Sequence, residues 1–305
     1  MPTMPHSLQM ISQSDGAPPI LLADTRLLSS HFRQDRFALS QTEPTTVAEM
    51  LRQADKIEIR PSGNCAVVPI HGIIEYRLTF WGWLFGATSC LAIQRAVKEC
   101  ISNPDINRIV FDIDSPGGDY YGSPELCRFI YDSREAIEMV AVANPMAASA
   151  AVKFAAACNR FVLMHSAHVG SVGSIIVLES WSRYLTELDV DVTVIRNPEW
   201  KAEGGRYEPT SESFKEYCQS LVDRVTGEFH TEMSKYRGVS VSHVKENFGK
   251  GRMLWGEEAV SAKLCDAISS LEKEVARGGG KKSSGKTRQE GRERMKQSLD
   301  VRMGV

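Results

Sequence analysis

Between Cys65 and Arg196 short apolar runs alternate with stretches of helical spacing, and this alternation limits the possible folds more than any other feature. Cys65–Ile70, Arg108–Ile113, Met139–Ala143, Phe161–Met164 and Asp191–Arg196 read as strands. Between them, Thr88–Ser102 places Leu91, Ala92, Arg95, Val97 and Ile101 at helical spacing and stops at Asn103-Pro104, where the proline disfavours further helix. Ser123-Pro124-Glu125 supplies an N-cap, an N1 proline and an acidic first turn for a helix to about Arg134. An alanine-rich helix is expected from about Ala148, and another near Glu179–Leu188. Strands separated by helices need crossover connections, so the expected class is α/β, with repeated crossover units around a mostly parallel sheet. Beyond Pro209 the chain turns helical. Phe214, Cys218, Leu221, Val222, Val225, Phe229 and Met233 form an i, i+3/i+4 stripe, and Gly238 is a natural stop.

Domain boundaries follow from texture and charge. Residues 1–60 are polar and weakly patterned and read as an N-terminal arm, with one short helical candidate at Thr46–Gln53. Residues 61–276 hold the alternating core, and residues 277–305 are a basic tail that opens with Gly278-Gly279-Gly280. The tail carries nine Lys and Arg against three acids, or +6, so the overall net charge of -2 hides -8 over residues 1–276. With no apolar period, the tail is expected to be disordered, or to serve as an arm for an acidic partner. An acidic body argues against a surface built for nucleic acid, so none is expected beyond contact by the tail. The 42% hydrophobic and 24% charged residues exclude fibrous and wholly disordered classes.

The seven cysteines are odd in number and irregular in spacing, without C-x-x-C, which points to reduced thiols and no zinc site. Met1–Asp15 lacks the basic and apolar regions of a signal peptide. The uncharged stretches Leu78–Gln94 and Phe161–Leu178 are interrupted by Gly, Ser, Thr or His and fall short of a run of about 20 apolar residues. A cytoplasmic protein without a membrane span is therefore expected. The aromatic cluster Phe80-Trp81-Gly82-Trp83-Leu84-Phe85 reads either as core or as an exposed patch for a partner.

Three segments hold residue types that plain structure does not require. Asp114-Ser115-Pro116-Gly117-Gly118 follows a strand, and its glycines let backbone N–H groups face outward as an oxyanion site needs. Asn144-Pro145-Met146-Ala147-Ala148-Ser149-Ala150-Ala151 places one hydroxyl among small side chains at a strand-to-helix junction, with the Ala150 N–H at the helix start. Asn197-Pro198-Glu199-Trp200-Lys201-Ala202-Glu203-Gly204-Gly205 sets a lysine beside Trp and Gly, where desolvation would favour the neutral amine that accepts a proton. Taken singly, each also reads as ordinary structure: a turn, an N-cap serine, a surface lysine.

Together, in the order strand–SPGG, AAS at a helix start, VGSxG and a loop lysine, they resemble the Ser-Lys peptidases with a Clp-protease-like, crotonase-like fold. That group contains the signal peptide peptidase A enzymes and the phage head-maturation proteases. The resemblance runs from Val67 to Leu271, and Phe85-Gly86-Ala87-Thr88-Ser89 and Gly251-Arg252-Met253-Leu254-Trp255-Gly256-Glu257-Glu258-Ala259 are similar to the phage and prophage branch. It implies Ser149 as nucleophile and Lys201 as general base. It further implies oxyanion N–H donors at Gly118 and Ala150 with Gly117 in support, and Ser171 hydrogen-bonded to the lysine. Neither cofactor nor metal is implied.

Rivals for the base are Lys153, four residues after Ser149, and His165 and His168; Glu203 and Arg206 are candidates for orienting the loop. The implied activity is a serine endopeptidase acting on scaffold or capsid precursor proteins within an assembling procapsid. The implied assembly is a homo-oligomer, with protomers sharing a site, and the tail would link the enzyme to its assembly partners. A soluble signal-peptide-peptidase-like enzyme of the same family is one alternative, and a non-catalytic assembly protein retaining the fold is another.

Overall fold

The computed structural model describes residues 21–23, 44–277 and 291–293. They separate into two compact units: one holds residues 174–227 with Leu21, the other residues 22–23 and 44–173 with 228–277 and 291–293. The larger unit is built on an eight-stranded sheet. At its centre β1 (Cys65–His71), β2 (Arg108–Ser115) and β3 (Glu138–Ala148) lie side by side and parallel. Strand β3 forks. Its first half, Val140–Ala143, pairs with β4 (Arg160–Leu163), and its second half, Met146–Ala148, pairs with β5 (His168–Gly170). Antiparallel strands close two edges, Arg60–Ser62 against β1 and β6 (Met253–Trp255) against β5. On the fork's other arm, β7 (Ala267–Ile268) pairs parallel with β4. The mostly parallel α/β class is therefore as expected.

The fork has a local cause. The β2–β3 register shifts between Ile113↔Ala143 and Ser115↔Ala147, and Asn144-Pro145-Met146 fills the extra length on β3. Proline has no N–H to give to a ladder, so a bulge forms there. The bulge lets β3 continue to Ala148 where a strand ending at Ala143 was expected, and the alanine-rich helix α1 (Ala150–Ala156) opens two residues later than expected.

Both faces of the sheet are covered. On one, Cys65, Val110, Val140, Val142 and Val162 pack beneath Ala267, Leu271 and Val275. On the other, Phe111 meets Phe154 of α1 edge-on at 4.8 Å. A smaller sheet sets Ile74–Glu75 between Thr88–Ser89 and Gly117–Asp119, all parallel.

Helices at Cys90–Ser102 and Ser123–Ser133 follow the expected positions, with one correction. The cap of the second is Gly122 at φ +78°, and Ser123 is already a buried first helical residue. The helix at Glu212–Arg237 is one element that enters the smaller unit up to Gly227 and the larger from Glu228. Gly238, at φ +64°, ends it as anticipated. The N-terminal helical candidate spans Pro44–Ala54. The aromatic cluster forms a short helix, Phe80–Leu84, that buries Leu84 and exposes Trp81.

Asp191–Arg196 is not a strand. It has no ladder partner among the described residues, and Ile195 is 94% exposed. A β-prone run becomes a strand only when another strand completes its hydrogen bonds. The basic tail lies outside the described residues except for Arg277, the last residue of a helix, and 291–293, a helical turn in which Arg292 donates to the Ile106 carbonyl at 2.5 Å. No helix among the described residues is long and apolar enough to cross a membrane.

Candidate active site

Ser149 stands between the end of β3 and the start of α1, at φ +51° and ψ -119°. A non-glycine residue in that region costs about 1–3 kcal/mol and persists only where its surroundings dictate it. Here the dictating bonds are the Ser149 N–H to the Gly170 carbonyl at 2.8 Å and the Lys153 N–H to the Ser149 carbonyl at 3.1 Å. The side chain is buried, and its Oγ has no hydrogen-bond partner among the described residues. A buried hydroxyl left unbonded costs roughly 1–3 kcal/mol, so strain and desolvation converge on one small side chain.

Ala150, the first residue of α1, sits where helix N–H groups lack an intrahelical acceptor. Helix α1 packs against the strand Gly117–Asp119, which brings the glycine pair beside the Ser149 turn. A side chain at Gly118 would place its Cβ 1.9 Å from the Ile74 carbonyl oxygen, so only glycine fits. Gly117, at φ +95°, gives its N–H to Ser115 Oγ at 3.1 Å, and that hydroxyl donates to the Gly72 carbonyl at 2.6 Å. Ser115 thus braces the turn carrying both glycines, a role the Ser-Pro-Gly-Gly spacing alone did not disclose.

Ser171 follows β5 at φ +53°, and its N–H donates to the Arg252 carbonyl at 3.1 Å. Gly170 cannot carry a side chain either, since its Cβ would come within 2.5 Å of the same carbonyl oxygen. Strand β5 runs alongside the end of β3, so Ser171 emerges next to the nucleophile turn.

Among the rival bases, Lys153 is the most unusual. It is 1% exposed, yet its Nζ lies 3.1 Å from Glu232 Oε2 and 5.2 Å from the centre of the Phe229 ring. Its ammonium is engaged with this carboxylate, and the Ser149 hydroxyl remains unbonded. His168 stacks on Trp255 with ring centres 4.7 Å apart. Burial holds its pKa below the ordinary histidine value against the opposing pull of Asp114. His165 is exposed.

Lys201 belongs to the smaller unit. It lies in a turn in which its N–H donates to the Pro198 carbonyl at 3.0 Å, and its side chain is exposed rather than desolvated. The turn is firmly shaped. Gly204, at φ +78°, leaves no room for a Cβ beside the Phe214 ring. Glu203 accepts from Ser211 and Ser213, each at 2.8 Å, and the Arg206 guanidinium covers the Trp181 ring at 5.0 Å. Glu203 and Arg206 are thus engaged in holding the loop. Ser149, Ala150, Gly117, Gly118 and Ser171 gather in the larger unit, and Lys201 lies in the other.

Residues 132–282, a window that holds Ser149, Ser171 and Lys201, match the model of peptidase family S49. Over this stretch the chain is similar to peptidase family S49. The glycine pair lies just before the S49 window. The chain is also similar to the head-tail preconnector protein GP5 of Enterobacteria phage P21, 27% identical over 68% of this chain and 41% of the relative. Capsid assembly protease C of Escherichia phage lambda is 27% identical over 71% of this chain and 48% of the relative. The chain therefore spans less than half the length of these two relatives. Among solved structures, a mutant of the 1510-N membrane-bound stomatin-specific protease aligns over 72% of this chain and 86% of that one, at 14% identity and a TM-score of 0.46.

Proposed function

We propose that this chain is a serine endopeptidase with Ser149 as nucleophile and Lys201 as general base. The observation that carries the reading is the Ser149 turn: a buried, unbonded hydroxyl on a strained residue between a strand end and a helix, inside the S49 window. Ser149 Oγ attacks the scissile carbonyl carbon while its proton passes to Lys201 Nζ. The oxyanion is held by the N–H groups of Gly118 and Ala150. Lys201 then returns the proton to the departing amine, and water hydrolyses the acyl-enzyme. Gly117 supports the oxyanion turn, and Ser171 orients the lysine.

The substrates are scaffold or capsid precursor proteins cut during phage head maturation, in the host cytoplasm inside the assembling procapsid. Similarity to a phage head-tail preconnector protein and a phage capsid assembly protease supports this part. The working form is a homo-oligomer, a reading supported by the apolar side chains that the smaller unit exposes.

The test is hydrolysis by purified Ser149→Ala and Lys201→Ala variants, with products of candidate capsid proteins identified by mass spectrometry. Ser149→Ala should abolish cleavage, and Lys201→Ala should lower kcat by at least about 10²-fold with folding retained. Near wild-type turnover in Lys201→Ala would sink the dyad.

A further inference from the structure

A second feature of the larger unit is unused by the chemistry above. Helix α2 (Leu271–Arg277) lies over the sheet and buries Glu274 completely. Three guanidinium groups surround that one carboxylate: Arg108 at 3.3 Å, Arg160 at 3.6 Å and Arg277 at 3.0 Å. Arg108 also lies 3.7 Å from Glu138, so two carboxylates face three cations, and among the described residues Arg160 Nε has no hydrogen bond. Beside this cluster opens a cleft of about 540 Å³ whose walls include Arg160, Lys273 and Arg277 and whose floor includes Ala267 and Ile268. Among the described residues no acidic side chain lines it. Glu272, the other carboxylate of α2, accepts a hydrogen bond from Ser270.

The floor is strand β7. It pairs with β4 on one side and has no strand on the other among the described residues. Its two apolar side chains are only partly buried. An edge strand offers backbone hydrogen-bonding groups that an extended chain can complete. Arg160 pairs with Val140 near the start of β3, whereas Ser149 follows Ala148, eight residues further along the same strand. The floor residues Ala267 and Ile268 stand level with Val142 and Ala143, so at about 3.3 Å per residue the cleft lies roughly 20–30 Å from the nucleophile.

We propose that this cleft is a docking site for an extended acidic peptide segment of a partner protein, separate from the peptidase site. The peptide would add to the edge of β7, and its carboxylates would meet Arg160, Lys273 and Arg277. Charge chooses the occupant. The residues that follow Arg277, with Lys281, Lys282, Lys286 and Arg288, carry the wrong sign to fill a cationic cleft. A nucleic acid would satisfy the cations but cannot complete a strand edge, and the chain's net charge of -8 over residues 1–276 disfavours a long polyanion.

The test measures binding without turnover, so it stands or falls apart from the dyad. Full-length protein carrying Ser149→Ala is titrated against a fluorescein-labelled octapeptide of alternating Val and Glu. Parallel probes replace Glu by Gln or by Lys, N-methylate alternate backbone nitrogens, or substitute oligothymidylate of equal length. The acidic peptide should bind at least tenfold more tightly than the Gln and Lys versions. N-methylation should weaken it at least tenfold, as should the double charge reversal Lys273→Glu/Arg277→Glu, with the variant's fold checked by circular dichroism. Equal affinity for the Gln peptide, or unchanged binding by a folded charge-reversed variant, would overturn the proposal. So would oligothymidylate that binds more tightly and displaces the peptide. Should the variant not fold, the probe series on the parent decides alone.

Discussion

Lys153 is the residue whose setting departs furthest from what its type suggests. A lysine is seldom fully buried unless paired, and this one is held against Glu232, whose side chain is itself only 19% exposed. Replacing a buried pair by apolar groups is often tolerated, whereas removing one partner leaves an uncompensated charge. We therefore expect Lys153→Met to lower unfolding stability by about 3–5 kcal/mol, measured by urea titration, and Lys153→Met/Glu232→Leu to recover most of it. A double variant no more stable than the single would show that the pair itself is not the source. Because Lys153 lies one turn into α1, such a loss would also loosen the helix that frames the Ser149 turn. Sequence spacing could raise Lys153 as a rival base but could not show its partner, since Glu232 lies 79 positions away on another helix.

At the scale of elements, the ends of the central strands gather a polar cluster on one carboxylate. Asp112 of β2 is 6% exposed and accepts from Arg60 at 3.0 Å and Asn144 at 2.9 Å, with His71 Nε2 3.6 Å away. Burial alone would raise its pKa, but the bonds from His71, Asn144 and Arg60 outweigh burial and hold it below the ordinary aspartate value. A depressed carboxylate stabilises the fold above its unfolded pKa of about 3.9, and that contribution fades as the pH falls through the lower folded value. Asp112→Asn should thus be less stable than wild type at pH 7, and the gap should shrink as the pH is lowered through about 4 to 3; a gap unchanged by pH would remove Asp112 from the acid response.

Elements of this kind were largely legible beforehand. The apolar runs that became β1 to β4 are bounded by turn residues, and local pattern decides them. Asp191–Arg196 was misread because strand formation depends on a neighbour that local pattern does not reveal. The continuation of β3 to Ala148 was hidden for a related reason, since it relies on β5 and Ser115 to pair with it beyond the proline. Within the site, residue types and order pointed to Ser149 and the glycine pair, but neither the unbonded Oγ nor the bracing by Ser115 is a property of spacing.

For the molecule as a whole, the seven thiols and the apolar surface pull in different directions. Every cysteine is buried, and burial raises the thiol pKa throughout, to about 12 at Cys90, Cys100 and Cys127, so the chain keeps its sulfurs out of chemistry. The smaller unit, by contrast, exposes Val177, Leu188, Val190, Val192, Ile195 and Trp200. Scattered apolar side chains are normal on a surface, but here several fall on one segment of strand-like composition that lacks a strand partner. A second copy of the chain would supply both an apolar cover and a ladder. The segment leads directly into the Lys201 turn, so self-association would fix the position of the turn on which the proposed base depends.

Wild-type protein should therefore sediment as an oligomer, and its specific activity should fall on dilution. Val192→Asp/Ile195→Asp changes side chains that are already exposed, and away from buried features such substitutions usually alter chain stability by no more than about 0.5 kcal/mol each. In sedimentation velocity the variant should shift to smaller species, and its activity should be low at concentrations where wild type is fully active. A wild-type monomer with activity independent of concentration would refute the association, and with it the physical reason given for the exposed segment.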